Sequence, residues 1–150
     1  MGEALPKIEE LHMITIPQAE WARAVAMIPE GQIATESDVL AYLKRRFLIP
    51  ADRDVRINWE RVAHYYRVRQ GRIEVDYTDD GDGWQPVPTW RVVNNFGYIT
   101  KQSVADYSLR QEGHELEQVG TNLRPKDWKK KRFRFPDNTN QRCDAVWETS

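Results

Sequence analysis

The spacing of apolar and polar residues predicts two amphipathic helices in the first third of the chain. The first begins near Gln18 and ends at the stop signal Pro29-Glu30-Gly31. The second follows Thr35, whose side chain would cap the helix together with Asp38 three residues later. The apolar faces recur at three- and four-residue intervals and contain Trp21, Ala24, Val25 and Ile28 in the first helix and Val39, Leu40, Tyr42, Leu43 and Phe47 in the second.

A third helix is predicted from about Trp59 to Arg69, with Asn58 as its N-cap. The connector Leu48 to Ile57 joins it to a second helix that ends in the basic run Lys44-Arg45-Arg46, which suits the negative end of the helix dipole. Two helices joined by a connector, of which the later one (here the predicted third helix) is rich in Arg and Tyr, are typical of helix-turn-helix DNA-binding proteins. Any three-helix core would give the same pattern, so both interpretations stay open.

The rest of the chain predicts one small hairpin and one last helix. The pattern therefore favours a single domain that is mainly α with a small β-hairpin, preceded by an N-terminal arm at residues 1–17. The predicted elements are a strand at Arg72 to Tyr77, a turn at residues 79–83, a hairpin of Val92-Val93 with Tyr98-Ile99, and a helix from Val104 to Val119 that ends at Gly120.

Composition excludes several classes of protein. One cysteine, Cys143, excludes an internal disulfide framework and a cysteine-built zinc site. The three histidines lie far apart in sequence, and the acidic turn at 79–83 lacks the downstream glutamate of a calcium loop. We therefore expect no metal and no cofactor. The sequence shows no apolar run of about 18 residues and no export signal, which favours a cytoplasmic protein with no membrane partner.

The formal net charge of −1 conceals strong segregation of charge. Residues 44–72 carry nine basic residues against three acidic ones, and residues 121–135 carry seven against one. Residues 73–83 carry five acidic residues and no basic one. Because local patches set the field that a polyanion meets, these basic stretches are candidate nucleic-acid contacts despite the near-neutral total. Solvated charge that keeps the protein soluble would give the same pattern.

Three stretches of the chain match, in order, motifs of a known protein family. These are Trp21 to Thr35 (WARAVAMIPEGQIAT), then Pro88 to Asn94 (PTWRVVN) followed by Gly97-Tyr98-Ile99, and finally Gln111, Leu116 and Gly120. They resemble the Ile-Pro-x-Gly-x-Val-x-Thr, Pro-Cys-His-Arg-Val-Val and closing Gln, Leu-Leu, Glu-Gly motifs of O6-alkylguanine-DNA alkyltransferases and their alkyltransferase-like relatives.

The resemblance implies a winged-helix-like (helix-turn-helix) alkyltransferase DNA-binding domain. It covers residues 18–120, with an insertion near 72–85, and leaves residues 121–150 as a basic and aromatic C-terminal extension. It further implies duplex DNA, including alkylated DNA, as the partner, and repair proteins that act afterwards. In a bacterium such a protein would be associated with the nucleoid.

The sequence departs from the family at the position of the reactive residue. Thr89 stands where the alkyltransferases have the acceptor cysteine, and Trp90 stands where they have histidine. A threonine hydroxyl does not ionise near neutral pH without a strong local base, and an indole cannot accept a proton. We therefore expect a protein that is not an enzyme and that resembles the alkyltransferase-like proteins, which bind alkylated DNA without repairing it.

The resemblance also implies candidate contacts with DNA. Arg61 is the candidate for the arginine that fills the base stack, and Arg56 is its rival; a solvent-facing helical arginine is the alternative for Arg61. Glu36 replaces the family's tyrosine, which removes one aid to rotating a base out of the duplex. The remaining candidates are Tyr65, Arg91, Asn94 and Ser37 for DNA binding and Pro88, Thr89 and Trp90 for the base pocket. The C-terminal segment lies outside the resemblance, but its basic side chains can neutralise phosphates, so Lys129, Lys130, Lys131 and Arg132 are candidate phosphate contacts; a solubilising tail strand is the alternative. The alternation of residues 132–135 fits an added strand with its phenylalanine side buried.

An alternative from another class is also open. The scaffold would then bind another protein and have little affinity for DNA, which Glu36 and the isoelectric point of about 6.3 favour. The alternative predicts that the acidic residues 73–83, or Glu36, cover the proposed third helix.

Overall fold

A computed structural model describes residues 14–56, 63–78, 81–99, 105–137 and 146–147 of the chain. The helices in this part are α1 (Gln18–Ala26), α2 (Glu36–Arg46) and α3 (Ala105–Gln111), and a 3-10 turn spans Thr89–Arg91. The strands are β1 (Ile14–Thr15), β2 (Ala34–Thr35), β3 (Val55–Arg56), β4 (Tyr65–Arg69), β5 (Arg72–Asp76), β6 (Gln85–Pro86), β7 (Val92–Val93), β8 (Leu116–Val119), β9 (Asn122–Pro125) and β10 (Val146–Trp147).

The first two predicted helices are confirmed as α1 and α2. A complete capping box begins α2, because the Asp38 N–H donates to the Thr35 hydroxyl and the Thr35 N–H donates to the Asp38 carboxylate, each over 3.1 Å. The basic residues Lys44, Arg45 and Arg46 occupy the last turn of α2, as predicted. Together with Ile28 and Phe47, which follow them, these two helices supply nine of the sixteen buried residues of the larger apolar cluster in the described part of the chain.

The predicted third helix is wrong where the structure describes it. Tyr65–Arg69 is strand β4, which pairs antiparallel with β5 across a turn at Gln70-Gly71. Both turn residues have positive φ, 53° and 74°, which is the requirement of the tight hairpin turn that matches strand twist. The aromatic, basic and β-branched residues of β4 therefore follow the two-residue period of a strand rather than the period of a helix. Strand β5 confirms the strand that was predicted at Arg72 to Tyr77.

The predicted last helix is correct only in its first half. Helix α3 ends at Gln111, and Gly113, with φ of 93°, begins the reversal that leads into β8. Strands β8 and β9 then form a second hairpin around Gly120-Thr121. Gly113 and Gly120 thus end two elements where the sequence pattern had suggested one continuous helix.

The expected fold class, mainly α with a small β-hairpin and a winged-helix core, is therefore wrong. In the described residues the strands hold about as many residues as the α-helices, and they form two three-stranded and two two-stranded sheets. The three-stranded sheets have the orders β10-β1-β3 and β5-β4-β6, and the two-stranded sheets are β2-β7 and β8-β9. The predicted hairpin at Val93 and Ile99 is confirmed as a tight antiparallel bridge, with the Asn94 N–H donating to the Tyr98 carbonyl over 3.0 Å.

Two apolar clusters hold these elements together. The larger packs α1 and α2 against Val87, which follows β6, and against the β4–β5 hairpin, and includes Trp21, Val25, Ile28, Val39, Leu43 and Phe47. The smaller consists of Ile33, Val93, Leu109 and Trp128, with Trp90, Ile99 and Leu116 packed against it. The smaller cluster fixes α3 and the segment after β9 to the 3-10 turn and β7. None of the helices in the described ranges has the length and apolar character that crossing a bilayer requires.

Candidate functional site

A pocket of about 350 Å³ lies where the chain enters β4, passes the 3-10 turn and begins α3. Three sequence-predicted residues meet there: Tyr65, a candidate DNA contact, and Thr89 and Trp90 of the candidate base pocket. Pro88, the third base-pocket residue, is buried next to Thr89 in the chain and is not part of the pocket lining. The pocket is lined by His64, Tyr65, Pro86, Val87, Thr89, Trp90, Ala105 and Ser108.

Backbone hydrogen bonds set the geometry of the pocket. The Val87 N–H donates to the His64 carbonyl over 2.9 Å, next to the pairing of Tyr65 with Pro86. The Thr89 N–H donates to the Val87 carbonyl over 2.8 Å, and the Arg91 N–H donates to the Pro88 carbonyl over 3.0 Å, which closes the 3-10 turn. The side chains that line the pocket therefore stand on or next to the paired strands β4 and β6, on the 3-10 turn and on α3.

Glu112, which follows α3, fixes the side chains of Trp90 and Arg91 next to the pocket. Its carboxylate accepts the indole N–H of Trp90 over 2.7 Å and the backbone N–H of Gly31 over 3.1 Å. The Arg91 guanidinium donates to both Glu112 oxygens over 2.7–3.0 Å and to the Ile28 carbonyl over 2.6 Å. Glu112 thus joins three segments that are distant in sequence and fixes the orientation of the Trp90 ring.

Burial would raise the pKa of Glu112, but the hydrogen bonds from Arg91, Trp90 and Gly31 outweigh it and hold the pKa below its usual value. The pair is nearly dry, since the side chains of Arg91 and Glu112 are 11% and 7% exposed. Arg91 was predicted to contact DNA; the structure places its guanidinium inside this internal ion pair.

Asn94 and Ser37, two further predicted DNA contacts, lie near each other at the start of α2. The Asn94 side-chain oxygen accepts the N–H groups of Phe96 and Tyr98, each over 2.9 Å, and so shapes the β7 turn. Ser37 is exposed, and its N–H donates to the side-chain oxygen of Asn95 over 3.2 Å. Arg61 lies outside the described residues, and the backbone of Arg56 forms part of β3.

The predicted phosphate contacts differ in their solvent exposure and in whether a carboxylate already binds them. Lys129 and Lys130 are exposed and Lys131 is half-buried. Arg132 donates to both oxygens of Asp38 over 2.7 and 2.8 Å. Partial burial would raise the pKa of Asp38, but the hydrogen bonds from Arg132 and Thr35 lower it below its usual value. The predicted burial of residues 132–135 is confirmed, because Phe135 is buried while Arg132 and Arg134 are exposed. The predicted strand is not, since Arg132 makes only an isolated bridge with Ile33.

Acidic residues neutralise part of the surface that had been assigned to a recognition helix. The carboxylate of Glu74 on β5 accepts a hydrogen bond from the Arg67 guanidinium of β4 over 2.6 Å and lies 3.7 Å from the Arg69 guanidinium. The Arg67 guanidinium also lies 4.4 Å from the centre of the Trp84 ring. These two arginines are therefore paired within the hairpin.

Sequence reasoning missed several residues that matter at these sites. His64 and Ser108 enter the pocket from distant segments, and Glu112 fixes Trp90 and Arg91. Arg45 and Arg134 flank Arg132 in a second concavity. None of these carries a local motif, although alternation at 132–135 did indicate that Arg134 would face outward. Within the described ranges, no three histidine, cysteine, aspartate or glutamate side chains are placed to share a metal ion.

No protein-family model matches this chain, and no curated protein or solved structure matches it either.

One buried histidine next to this site predicts a pH dependence of stability. His114 is 4% exposed, and among the residues that the structure describes neither of its ring nitrogens has a hydrogen-bond partner. Burial, and then the nearby Lys131, lower the pKa of His114 below its usual value, with Arg91 acting in the same direction and Glu112 opposing it. The unfolded chain, with a histidine pKa of about 6.5, therefore takes up the proton more readily than the folded one.

Stability should be fully present above about pH 6.5 and should decline as the pH falls from there toward the folded-state pKa of His114. His114→Leu should remove most of this decline between pH 7.5 and 5, measured as the urea midpoint. His64→Leu, at an exposed position, is the control and should keep the decline. A His114→Leu protein with an unchanged pH profile would contradict the assignment.

Proposed function

We propose that the protein is a non-catalytic, alkyltransferase-like DNA-binding protein that accommodates a modified base of duplex DNA in the pocket of Tyr65, Thr89 and Trp90. The observation that carries the proposal is that these three residues, from two separate stretches of sequence, line one pocket. Its volume of about 350 Å³ lies at the lower end of the range of about 300–1,000 Å³ for small-molecule sites, which suits a single base.

The pocket offers the groups that recognition of such a base requires. Tyr65 and Trp90 supply half-buried rings, and stacking of a base on an aromatic ring contributes about 1–3 kcal/mol. Pro86, Val87 and Ala105 are apolar neighbours for an added alkyl group. The hydroxyls of Thr89 and Ser108 can hydrogen-bond to the base edge. Stacking of this size can offset the few kcal/mol that unstacking a base costs.

We expect binding without transfer of the alkyl group. Thr89 would need a strong base to become a nucleophile. His64 lines the same pocket, but among the described residues no hydrogen bond joins its imidazole to the Thr89 hydroxyl. A protein that leaves the lesion in place needs a repair enzyme to act afterwards, so we expect repair proteins as further partners and the cytoplasm as the place of action.

A gel-shift titration tests the proposal, with matched duplexes that contain or lack one O6-methylguanine. The unchanged protein should prefer the modified duplex. Tyr65→Ala should weaken binding to the modified duplex about 5- to 150-fold, the equivalent of the ~1–3 kcal/mol of one stacked base, and should leave the unmodified duplex nearly unaffected. Tyr77→Ala, at an exposed tyrosine outside the pocket lining, is the matched control and should change neither affinity.

The outcomes separate the parts of the proposal. Equal affinity for the two duplexes would remove recognition of the modified base, and absence of salt-sensitive binding to either would overturn DNA binding. Mass spectrometry of the protein after incubation with the modified duplex should show no added methyl group; an adduct on Thr89 or Cys143 would overturn the non-catalytic assignment.

A second candidate function is a protein-interaction module. The pairing of Glu74 with Arg67 and Arg69 favours it, because an acidic strand covers part of the predicted DNA-binding surface. Val68 and Tyr77, which are 64% and 52% exposed, add apolar surface to the same hairpin. This candidate predicts that neither duplex binds in the titration above.

A further inference from the structure

A second concave surface, which we call the basic groove, lies between α2 and residues 129–135. Its volume is about 450 Å³. The groove is lined by Asp38, Ala41, Arg45, Lys129, Arg132, Phe133, Arg134 and Phe135.

The charge balance of the groove is strongly positive. It contains four cations, Arg45, Lys129, Arg132 and Arg134, and a single carboxylate, Asp38, that Arg132 already binds through two hydrogen bonds. Asp137 lies 3.9 Å from Arg45, but its side chain is 90% exposed, so this pair is weak. Three cations therefore face the groove without a strong internal partner among the described residues.

Apolar packing of the C-terminal segment builds one wall of the groove. The Ile33 N–H donates to the Lys131 carbonyl over 2.9 Å, and the Phe133 N–H donates to the Ile33 carbonyl over 2.7 Å. Phe135 stacks on Tyr42 with ring centroids 5.0 Å apart, and Phe133 meets Phe135 edge-on at 4.8 Å. Because the phenylalanines turn inward, the alternate arginines must turn outward.

The other wall is the outer face of α2. Ala41 and Arg45 lie four residues apart, so they form neighbouring positions of one helical face. The small side chain of Ala41 leaves the floor of the groove open beside Arg45. Arg132 acts as a positioning residue, since its pair with Asp38 ties the C-terminal segment to the capped end of α2.

We propose that the basic groove binds the phosphodiester backbone of duplex DNA. Guanidinium groups bind phosphate through paired hydrogen bonds, and Arg45 and Arg134, which have no strong partner among the described residues, stand on opposite walls. Both phenylalanine rings pack within the protein, on Tyr42 and on each other, and five of the eight side chains that line the groove are charged, whereas the centre of a protein–protein interface is depleted of charge. Phosphate is therefore a better match than an acidic peptide. The groove proposal rests on the proposed function only for the identity of the partner.

The salt dependence of binding tests the groove. Arg45→Gln/Arg134→Gln should make the slope of log K against log[salt] shallower by about 1.8, since each phosphate contact contributes about 0.9. The loss should be the same for modified and unmodified duplexes, because phosphate contacts carry no base information. Arg110→Gln/Lys126→Gln removes the same charge from exposed positions that do not line the groove, and it should change the slope much less.

Each outcome decides for or against the groove. Equal slopes for the groove variant and its control would overturn the proposal, as would a loss of base preference alone. Displacement of the duplex by polyglutamate as readily as by unmodified duplex of equal charge would also overturn it, in favour of an acidic protein partner. The urea midpoints of both variants should match that of the unchanged protein, and Arg134→Gln alone should show half of the slope change.

The groove and the base pocket fail in different ways. A reduced slope in the groove variant together with equal affinity for the two duplexes would support the groove and remove the modified base. An unchanged slope together with a clear preference for the modified duplex would support recognition of the modified base and overturn the groove. A protein that binds neither duplex would overturn both.

Discussion

Arg91→Met is expected to lower the free energy of unfolding by about 3–5 kcal/mol at pH 7, because it leaves a buried carboxylate without its counter-ion. Methionine keeps most of the side-chain volume, so the effect measures the lost charge and hydrogen bonds rather than a cavity. The Glu112 side chain is 7% exposed and, within the described ranges, would keep only the N–H groups of Trp90 and Gly31 as donors. Urea unfolding followed by tryptophan fluorescence and circular dichroism measures the difference.

The pH dependence of the deficit separates the ion pair from packing. Without Arg91, burial should raise the pKa of Glu112, so the variant should recover part of its deficit as the pH falls from 7 to 5. Arg110→Met, at an exposed position on α3, is the matched control and should stay within about 0.5 kcal/mol of the unchanged protein. A deficit below about 1 kcal/mol, or one that is constant with pH, would contradict the buried ion pair.

Gly97→Ala is expected to destabilise the fold by about 2–5 kcal/mol. Gly97 has φ of 85°, and a Cβ there would lie 2.5–2.8 Å from three ring atoms of Trp128. Strained positive φ costs a non-glycine residue about 1–2 kcal/mol, and overpacking a buried site costs about 1–3 kcal/mol more. Trp128 belongs to the smaller apolar cluster and precedes the basic segment, so the same change should loosen the wall of the basic groove.

Gly113→Ala isolates the conformational part of this cost. Gly113 has φ of 93°, and a Cβ there meets no atom within 4 Å. It should therefore cost only the backbone strain, and the difference between the two variants measures the clash. Trp128→Leu should make Gly97→Ala less harmful, so a double-mutant cycle with additive costs would show that the indole is not the obstacle.

The helices near the start of the chain could be predicted because their signals are local. The interval of apolar residues in α1 and the Thr35–Asp38 cap of α2 lie within one or two turns, and both were confirmed. The hairpin at Asn94 was also predictable, since its side chain closes the turn on its own backbone. The β4–β5 and β8–β9 hairpins were not. The aromatic, basic and aliphatic residues of Tyr65–Arg69, and the aliphatic and polar residues of Leu116–Val119, fit a helical period as well as a strand period.

The chain by itself determined helices α1 and α2, the Thr35–Asp38 cap, and the outward positions of Arg132 and Arg134. Tertiary structure alone decided that Tyr65 joins Thr89 and Trp90, that Arg91 lies in an internal ion pair with Glu112, and that Arg45 shares a groove with Arg134. The physical reason is sequence separation. A cap or a turn is stabilised by neighbours a few residues away, whereas pairing of Arg91 with Glu112 or of β4 with β6 depends on how distant elements pack.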